Sequence, residues 1–179
     1  MKKHLYPFCA LFLVVVMFSC QSPKSNSTKE EAEGIDRIAP DPFITHMYTA
    51  DPSAHVWADG RLYVYASHDI DPPRGCDLMD RYHVFSTDDM VNWTDHGEIM
   101  NSSQVPWGRK EGGFMWAPDC AYKDGTYYFY FPHPSDTKWN DSWKIGVATS
   151  KEPAANFTVQ GYIEGMDPLI DPCVFVDDD

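Results

Sequence analysis

Between residues 40 and 179 the apolar residues fall into short runs, rich in aromatic and β-branched side chains and broken by Asp, Gly, Pro or Asn. Runs of this length and composition predict β-strands. The first four are AHVW (54–57), RLYVYAS (61–67), RYHVFST (81–87) and TDHGEIM (94–100). A second four follow: DCAY (119–122), TYYFYFP (126–132), WKIGVAT (143–149) and FTVQGYI (157–163). The Asp59-Gly60 and Asp124-Gly125 pairs suit tight hairpins. No convincing helical stretch occurs after residue 40, so the predicted class is all-β.

The second four strands repeat the first. Asn92-Trp93-Thr94 with Gly97 returns as Asn156-Phe157-Thr158 with Gly161, 64 residues later. Asp59-Gly60 followed by Tyr63-Val64-Tyr65 returns as Asp124-Gly125 followed by Tyr128-Phe129-Tyr130, 65 residues later. Two distant patches sharing nearly one offset define a unit of roughly 60 residues and four strands, which resembles a β-propeller blade. LIDPCVFVDDD (169–179) then reads as the first strand of a third unit. On this alignment Asp51, Trp116 and Asp171 hold equivalent places just before the innermost strand of successive units. In a propeller such positions converge on one central cavity. A propeller needs at least about four blades to close, and two units and one strand do not suffice. Either the chain is a fragment or the propeller reading is wrong. The fragment is favoured, because Asp177-Asp178-Asp179 stops inside a turn that the first copy completes with Gly60.

The N-terminus changes the picture of where the protein works. Lys2 and Lys3 precede an apolar run, LYPFCALFLVVVMF (5–18), which is too short to span a bilayer comfortably and reads as a signal peptide over 1–19. Ser19-Cys20 follows, and a small residue before Cys resembles a bacterial lipobox, with Cys20 the lipidated first residue. A plain secretory peptide with an incidental Cys20 is the alternative. Residues 20–40 are polar and charged, a flexible lipid-anchored tether. That leaves 41–179 as the folded domain, on a lipoprotein exported to the outer membrane and facing either the periplasm or the cell surface. Losing residues 1–19 takes the net charge from −13 to −15. So acidic a body repels nucleic-acid phosphates, whereas a neutral sugar is compatible. Cys76, Cys120 and Cys173 show no metal-type spacing. One disulfide among them is permitted, but lone buried thiols are favoured.

Two carboxylates facing one pocket, with an aromatic between them, are the makings of a glycosidase site. Aromatic faces also stack on sugar rings. TADPSAHVWADGRLYVYAS, FMWAPDCAYKDGTYYFYF and LIDPCVFVDDD, in that order and at blade spacing, resemble glycoside hydrolase family 43 over residues 41–179. The resemblance implies a five-bladed propeller of inverting glycosidases acting on α-L-arabinofuranosides, β-xylosides and arabinans of plant cell walls. It implies Asp51 as general base, Asp171 as the carboxylate that orients the general acid and raises its pKa, and Trp116 as a wall of the sugar pocket. The family's general acid is a Glu in a later blade. Glu111, Glu152 and Glu164 sit in connections or outer strands and are not candidates, so the 179 residues alone are expected to be inactive. No cofactor is expected. Some family members hold an axial metal, whose ligands would lie outside this chain.

Competing readings stay open beside these. Asp-Pro pairs also start turns, so Asp51 and Asp171 could be turn residues, and Trp116 could be core. His68 and His133 match at the repeat offset and either edge the pocket or are rim or turn positions, the second being favoured. Trp107, Trp139 and Trp143 are either polymer-binding aromatics or blade packing. The terminal Asp run reads as a solvated turn. A glycan-binding propeller without catalysis and a truncated gene remnant are the alternatives to an enzyme.

Overall fold

The structure, a computed structural model, describes residues 41–70, 75–135 and 142–177. The signal peptide, Cys20, the tether and Trp139 lie outside the described residues. Residues Asp41–Asp179 form one compact unit.

The described residues hold eight strands: β1 Tyr48–Val56, β2 Leu62–Asp69, β3 Arg81–Thr87 and β4 Thr94–Asn101, then β5 Asp119–Lys123, β6 Thr126–Pro134, β7 Trp143–Ser150 and β8 Thr158–Tyr162. They make two antiparallel four-stranded sheets, each a meander with its strands in chain order. The described residues hold no α-helix, only a 3-10 turn at Ser102–Gln104. Asn101 caps it: its side chain accepts from the Ser103 N–H, and its own N–H donates to the Gln104 side chain.

The two predicted hairpins differ in closure. Lys123 pairs with Thr126 around Asp124 and Gly125, both at positive φ, which is the two-residue turn that matches strand twist. In the first sheet, Trp57 and Arg61 face each other across a three-residue loop, and only Gly60 there has positive φ.

The main core lies between the sheets and is built from unlike faces. Tyr63 and Tyr65 of β2 point into it, with Tyr82 and Val84 of β3. Phe129 and Phe131 of β6 meet them from the second sheet. Tyr65, Tyr82, Phe129 and Phe131 are all fully buried. At the repeat offset, Tyr65 corresponds to Tyr130 and Val64 to Phe129. Val64 points away from the shared core, into a smaller cluster with Ala66, Phe85, Ile44, Met47 and Trp93. Tyr130 lines a cleft on the far side of the second sheet, under residues 169–175. One face of each sheet therefore looks forward along the chain and the other looks back. A head-to-tail contact of this kind can continue around a ring, whereas a two-fold sandwich joins like faces.

Two expectations need correction. β1 starts at Tyr48, six residues ahead of the predicted run, because a bulge between Ala50 and Ser53 lets the strand pass through Asp51-Pro52 without ending. Residues 171–177, predicted as a strand, make no ladder with either sheet. A strand is defined by a hydrogen-bonded ladder, and among the described residues this segment meets β5 through a side chain, the Asp119 carboxylate, instead.

The cysteines divide as well. Cys76, Cys120 and Cys173 are free thiols. Cys120 is buried, and burial pushes its pKa up to about 12. Cys76 and Cys173 are exposed, against the expectation of buried thiols.

Candidate active site

Asp51 sits at the β1 bulge with φ 49°, and Asp171 has φ 55°. Left-handed backbone is uncommon outside glycine, and Asp is one of the residues that tolerates it. Proline also pushes the residue before it towards extended φ, yet both aspartates precede a proline. The two positions are thus matched in sequence and in an unusual backbone. Such backbone clusters where function requires a particular side-chain direction. In the second unit the left-handed non-glycine residue nearest the matching position is Phe114, at φ 61°, two residues ahead of Trp116.

Asp51, Trp116 and Asp171 nevertheless line one cavity of about 300 Å³. Cys76, Met79, Ala117 and Ile170 complete its walls. The volume is at the small end for ligand sites. A larger cleft of about 650 Å³ lies between residues 42–49 and the end of β2. The chemistry favours the smaller one, because only there do two carboxylates and an indole converge.

Trp116 is held from several sides. Its Nε1–H donates to the Cys76 carbonyl, and its own carbonyl accepts from the Tyr82 hydroxyl at 2.7 Å. Its ring lies 4.5 Å from that of Trp143 and 5.9 Å from that of Phe114. The connection between β2 and β3 thus forms one wall of the cavity and fixes the ring of another. Gly113 permits this approach: a Cβ there would meet the Asp77 carbonyl at 2.3 Å. Cys76 and Met79 were missed from sequence, since nothing in their local pattern marks a wall.

Below the cavity lies a second missed feature. Asp119, the first residue of β5, is buried, and its Oδ1 accepts from His55 Nε2 at 2.7 Å and the Cys120 N–H at 2.8 Å. Its Oδ2 accepts from the Val174 N–H at 2.6 Å. Burial pushes the Asp119 pKa up. The hydrogen bonds from His55, Val174 and Cys120 outweigh it and hold the carboxyl below the ordinary range. The carboxylate is therefore ionised at neutral pH.

The other singled-out residues fall elsewhere. His68 is partly exposed and bonds Asp80 at 2.8 Å, whereas His133 is fully buried between the Pro134 and Gly113 carbonyls. Trp143 is buried in β7, and Trp107 packs its ring on Phe131 and Tyr162. Both are packing residues. Glu111, Glu152 and Glu164 do not line the cavity. Among the described residues, no three His, Cys, Asp or Glu side chains converge to hold a metal.

The match to known proteins runs through the same segments. The family model for glycosyl hydrolases family 43 matches residues 40–179. The chain belongs to that family. A xylosidase/arabinosidase from Humicola insolens is 44% identical over 148 residues, covering 77% of this family 43 chain and 43% of the relative. A xylosidase/arabinosidase from Bacteroides ovatus is 38% identical over 140 residues, covering 74% of the chain and 41% of the relative. The chain thus spans about two fifths of the curated relatives it matches. Among solved structures, a GH43_1 enzyme from Xanthomonas citri superposes with a TM-score of 0.64 at 38% identity. It shares 76% of this chain and 39% of its own. A family 43 β-xylosidase/α-arabinofuranosidase from a compost metagenome, solved with xylotriose, superposes with a TM-score of 0.63 at 43% identity. That overlap covers 76% of this chain and 42% of the other. The two sheets are therefore two blades of the family's five-bladed propeller.

Proposed function

We propose that the protein carrying this chain hydrolyses glycosidic bonds of plant hemicellulose or pectin side chains with inversion, acting on β-xylosides or α-L-arabinofuranosides. The observation behind this reading is the convergence of Asp51, Asp171 and Trp116 on one cavity in a family 43 chain. Asp51 acts as general base, taking a proton from the attacking water. Asp171 orients the general acid and keeps it protonated, since a nearby negative charge disfavours a second ionisation. Trp116 offers its ring to the apolar face of the bound sugar.

Inversion requires a second carboxyl group, across the scissile bond, to protonate the leaving oxygen. No Glu lines the cavity among the described residues. This chain by itself is therefore expected to leave the glycosidic bond intact, and glycan binding without catalysis is the alternative reading for the chain alone. The protein is exported, anchored at the outer membrane through lipidated Cys20, and meets its polysaccharide there. It takes no cofactor and binds no nucleic acid.

The test is turnover of aryl β-xyloside and aryl α-L-arabinofuranoside by the whole protein that carries this chain. Asp51→Asn and Asp171→Asn should each lower kcat by roughly 10²–10⁴-fold, with the first sugar product released inverted. Clear turnover by the 179-residue chain, or an Asp51→Asn variant with undiminished rate, overturns the assignment.

A further inference from the structure

We infer that Asp119 is a positioning residue: its carboxylate ties together the three inner segments that carry Asp51, Trp116 and Asp171 and so fixes how the two outer carboxylates face each other. The role rests on the reading of Asp51 and Asp171 as the reacting pair.

The geometry is specific. His55 lies four residues after Asp51 on β1, Asp119 three after Trp116, and Val174 three after Asp171. One buried side chain of the second segment therefore collects donors from the first and the third, His55 at 2.7 Å and Val174 at 2.6 Å, beside the N–H of its own neighbour Cys120 at 2.8 Å. His55 is not free to swing away. Its ring stacks on Trp57 at 4.9 Å and an interplanar angle of 11°. Trp57 Nε1–H donates to the Tyr65 hydroxyl at 3.0 Å, which donates in turn to the Pro153 carbonyl at 2.6 Å. The anchor thus reaches the buried core.

The third segment depends on this contact more than the other two. β1 and β5 each sit in a sheet, but residues 171–177 have no ladder. For Asp171 to keep its place opposite Asp51, the bond from the Val174 N–H to Asp119 does what a neighbouring strand does elsewhere. A buried carboxylate with three donors is also intolerant of substitution. Whichever way an Asn side chain turned here, its NH₂ would face a donor.

The experiment uses the 179-residue chain, by amide hydrogen exchange and carboxyl ¹³C spectra. In Asp119→Asn, exchange at Val174 should quicken at least about tenfold, as an amide losing its buried acceptor opens locally. Amides of β2 and β6 should exchange as in the wild type. The side-chain carboxyl resonances of Asp51 and Asp171 should move together, while the methyls of Met100 and Met115 do not. His55→Gln, which keeps an N–H donor, should leave Val174 slow, and His55→Leu should not. In a form that turns over aryl xyloside, Asp119→Asn should lower kcat by about 10–100-fold with KM nearly unchanged, the signature of misplaced reacting groups. Unchanged Val174 exchange and unmoved Asp171 carboxyl in Asp119→Asn overturn the inference. If the whole protein carrying this chain turned over neither glycoside, the hydrolase reading would fall, while the exchange comparison on the 179-residue chain would still decide the tie.

Discussion

The two blades carry the same strands at the same offset, yet their forward faces meet different fates. The forward face of the first blade, with Tyr63 and Tyr65, is sealed against Phe129 and Phe131 of the second. The forward face of the second blade is roofed only by residues 163–175, and Met166, Leu169, Ile170 and Phe175 stay exposed there, Phe175 at 84%. The difference shows that burial in this fold belongs to the contact between blades and not to the blade itself. A blade cannot satisfy both of its faces alone, which is the general condition of a repeat architecture.

Substitutions at matched positions can break or sharpen this comparison. The largest effect is expected at the sealed face. Phe131→Ala removes a fully buried ring from between the blades and should cost about 3–5 kcal/mol. Tyr130→Ala, on the half-covered forward face of the second blade, should cost about 1–2 kcal/mol by area removed from water. Urea unfolding measures both. Equal losses would mean the two faces are alike and the head-to-tail description is wrong.

Next come the matched histidines. Burial pushes the His133 pKa down, joined by the Arg109 charge, while the Pro134 and Gly113 carbonyls pull it up less strongly. The folded chain thus binds a proton less readily than the unfolded one, whose histidine titrates near ~6.5. Stability should be full above that value and fall as the pH drops through it and below. His83 and His96 are shifted the same way by burial. His133→Asn should therefore flatten the fall in part. A pH slope identical to the wild type would remove His133 from the account.

Acid acts on the tie below the site at lower pH. The Asp119 pKa is held down, so its contribution is present above the ordinary carboxylate range and is lost as pH falls through it, below about 4. Asp119→Asn should be less stable than the wild type at pH 7. The gap should narrow as pH drops below about 4.

The smallest effect tests the likeness of the blades. Gly60 and Gly125 have φ of 81° and 71°, and neither would bring a Cβ within 4 Å of another group. Substitution by Ala therefore meets only backbone strain, roughly 1–2 kcal/mol at each. Similar losses would sharpen the repeat, and a large imbalance would show that one hairpin carries tertiary contacts the other lacks.

The sequence displayed the eight strands, the turns and the three cavity residues because these are written in local chemistry. Asp-Gly suits a tight turn, and the repeat offset marks Asp51, Trp116 and Asp171 as equivalent positions. What it concealed depends on neighbours. Asp51-Pro52 looked like a break before a strand, but a bulge absorbed it. Residues 169–179 looked like a strand, and their described part makes no ladder with either sheet. His133 looked like the match of His68, yet one is enclosed and the other faces Asp80. The bond from His55 to Asp119 was invisible for a plainer reason. The offset of 65 that aligns the blades pairs His55 with Cys120, so no repeat position announces the contact.

On the proposed function, the segments carrying Asp51, Trp116 and Asp171 converge on one sugar site. Titrating xylotriose into the isotope-labelled chain and following its amide and indole N–H signals tests it most directly. The account predicts changes concentrated at Asp51, Cys76, Met79, Trp116 and Asp171. Changes confined to the larger cleft around Met47, Tyr48 and His68, or none at millimolar sugar, would contradict it.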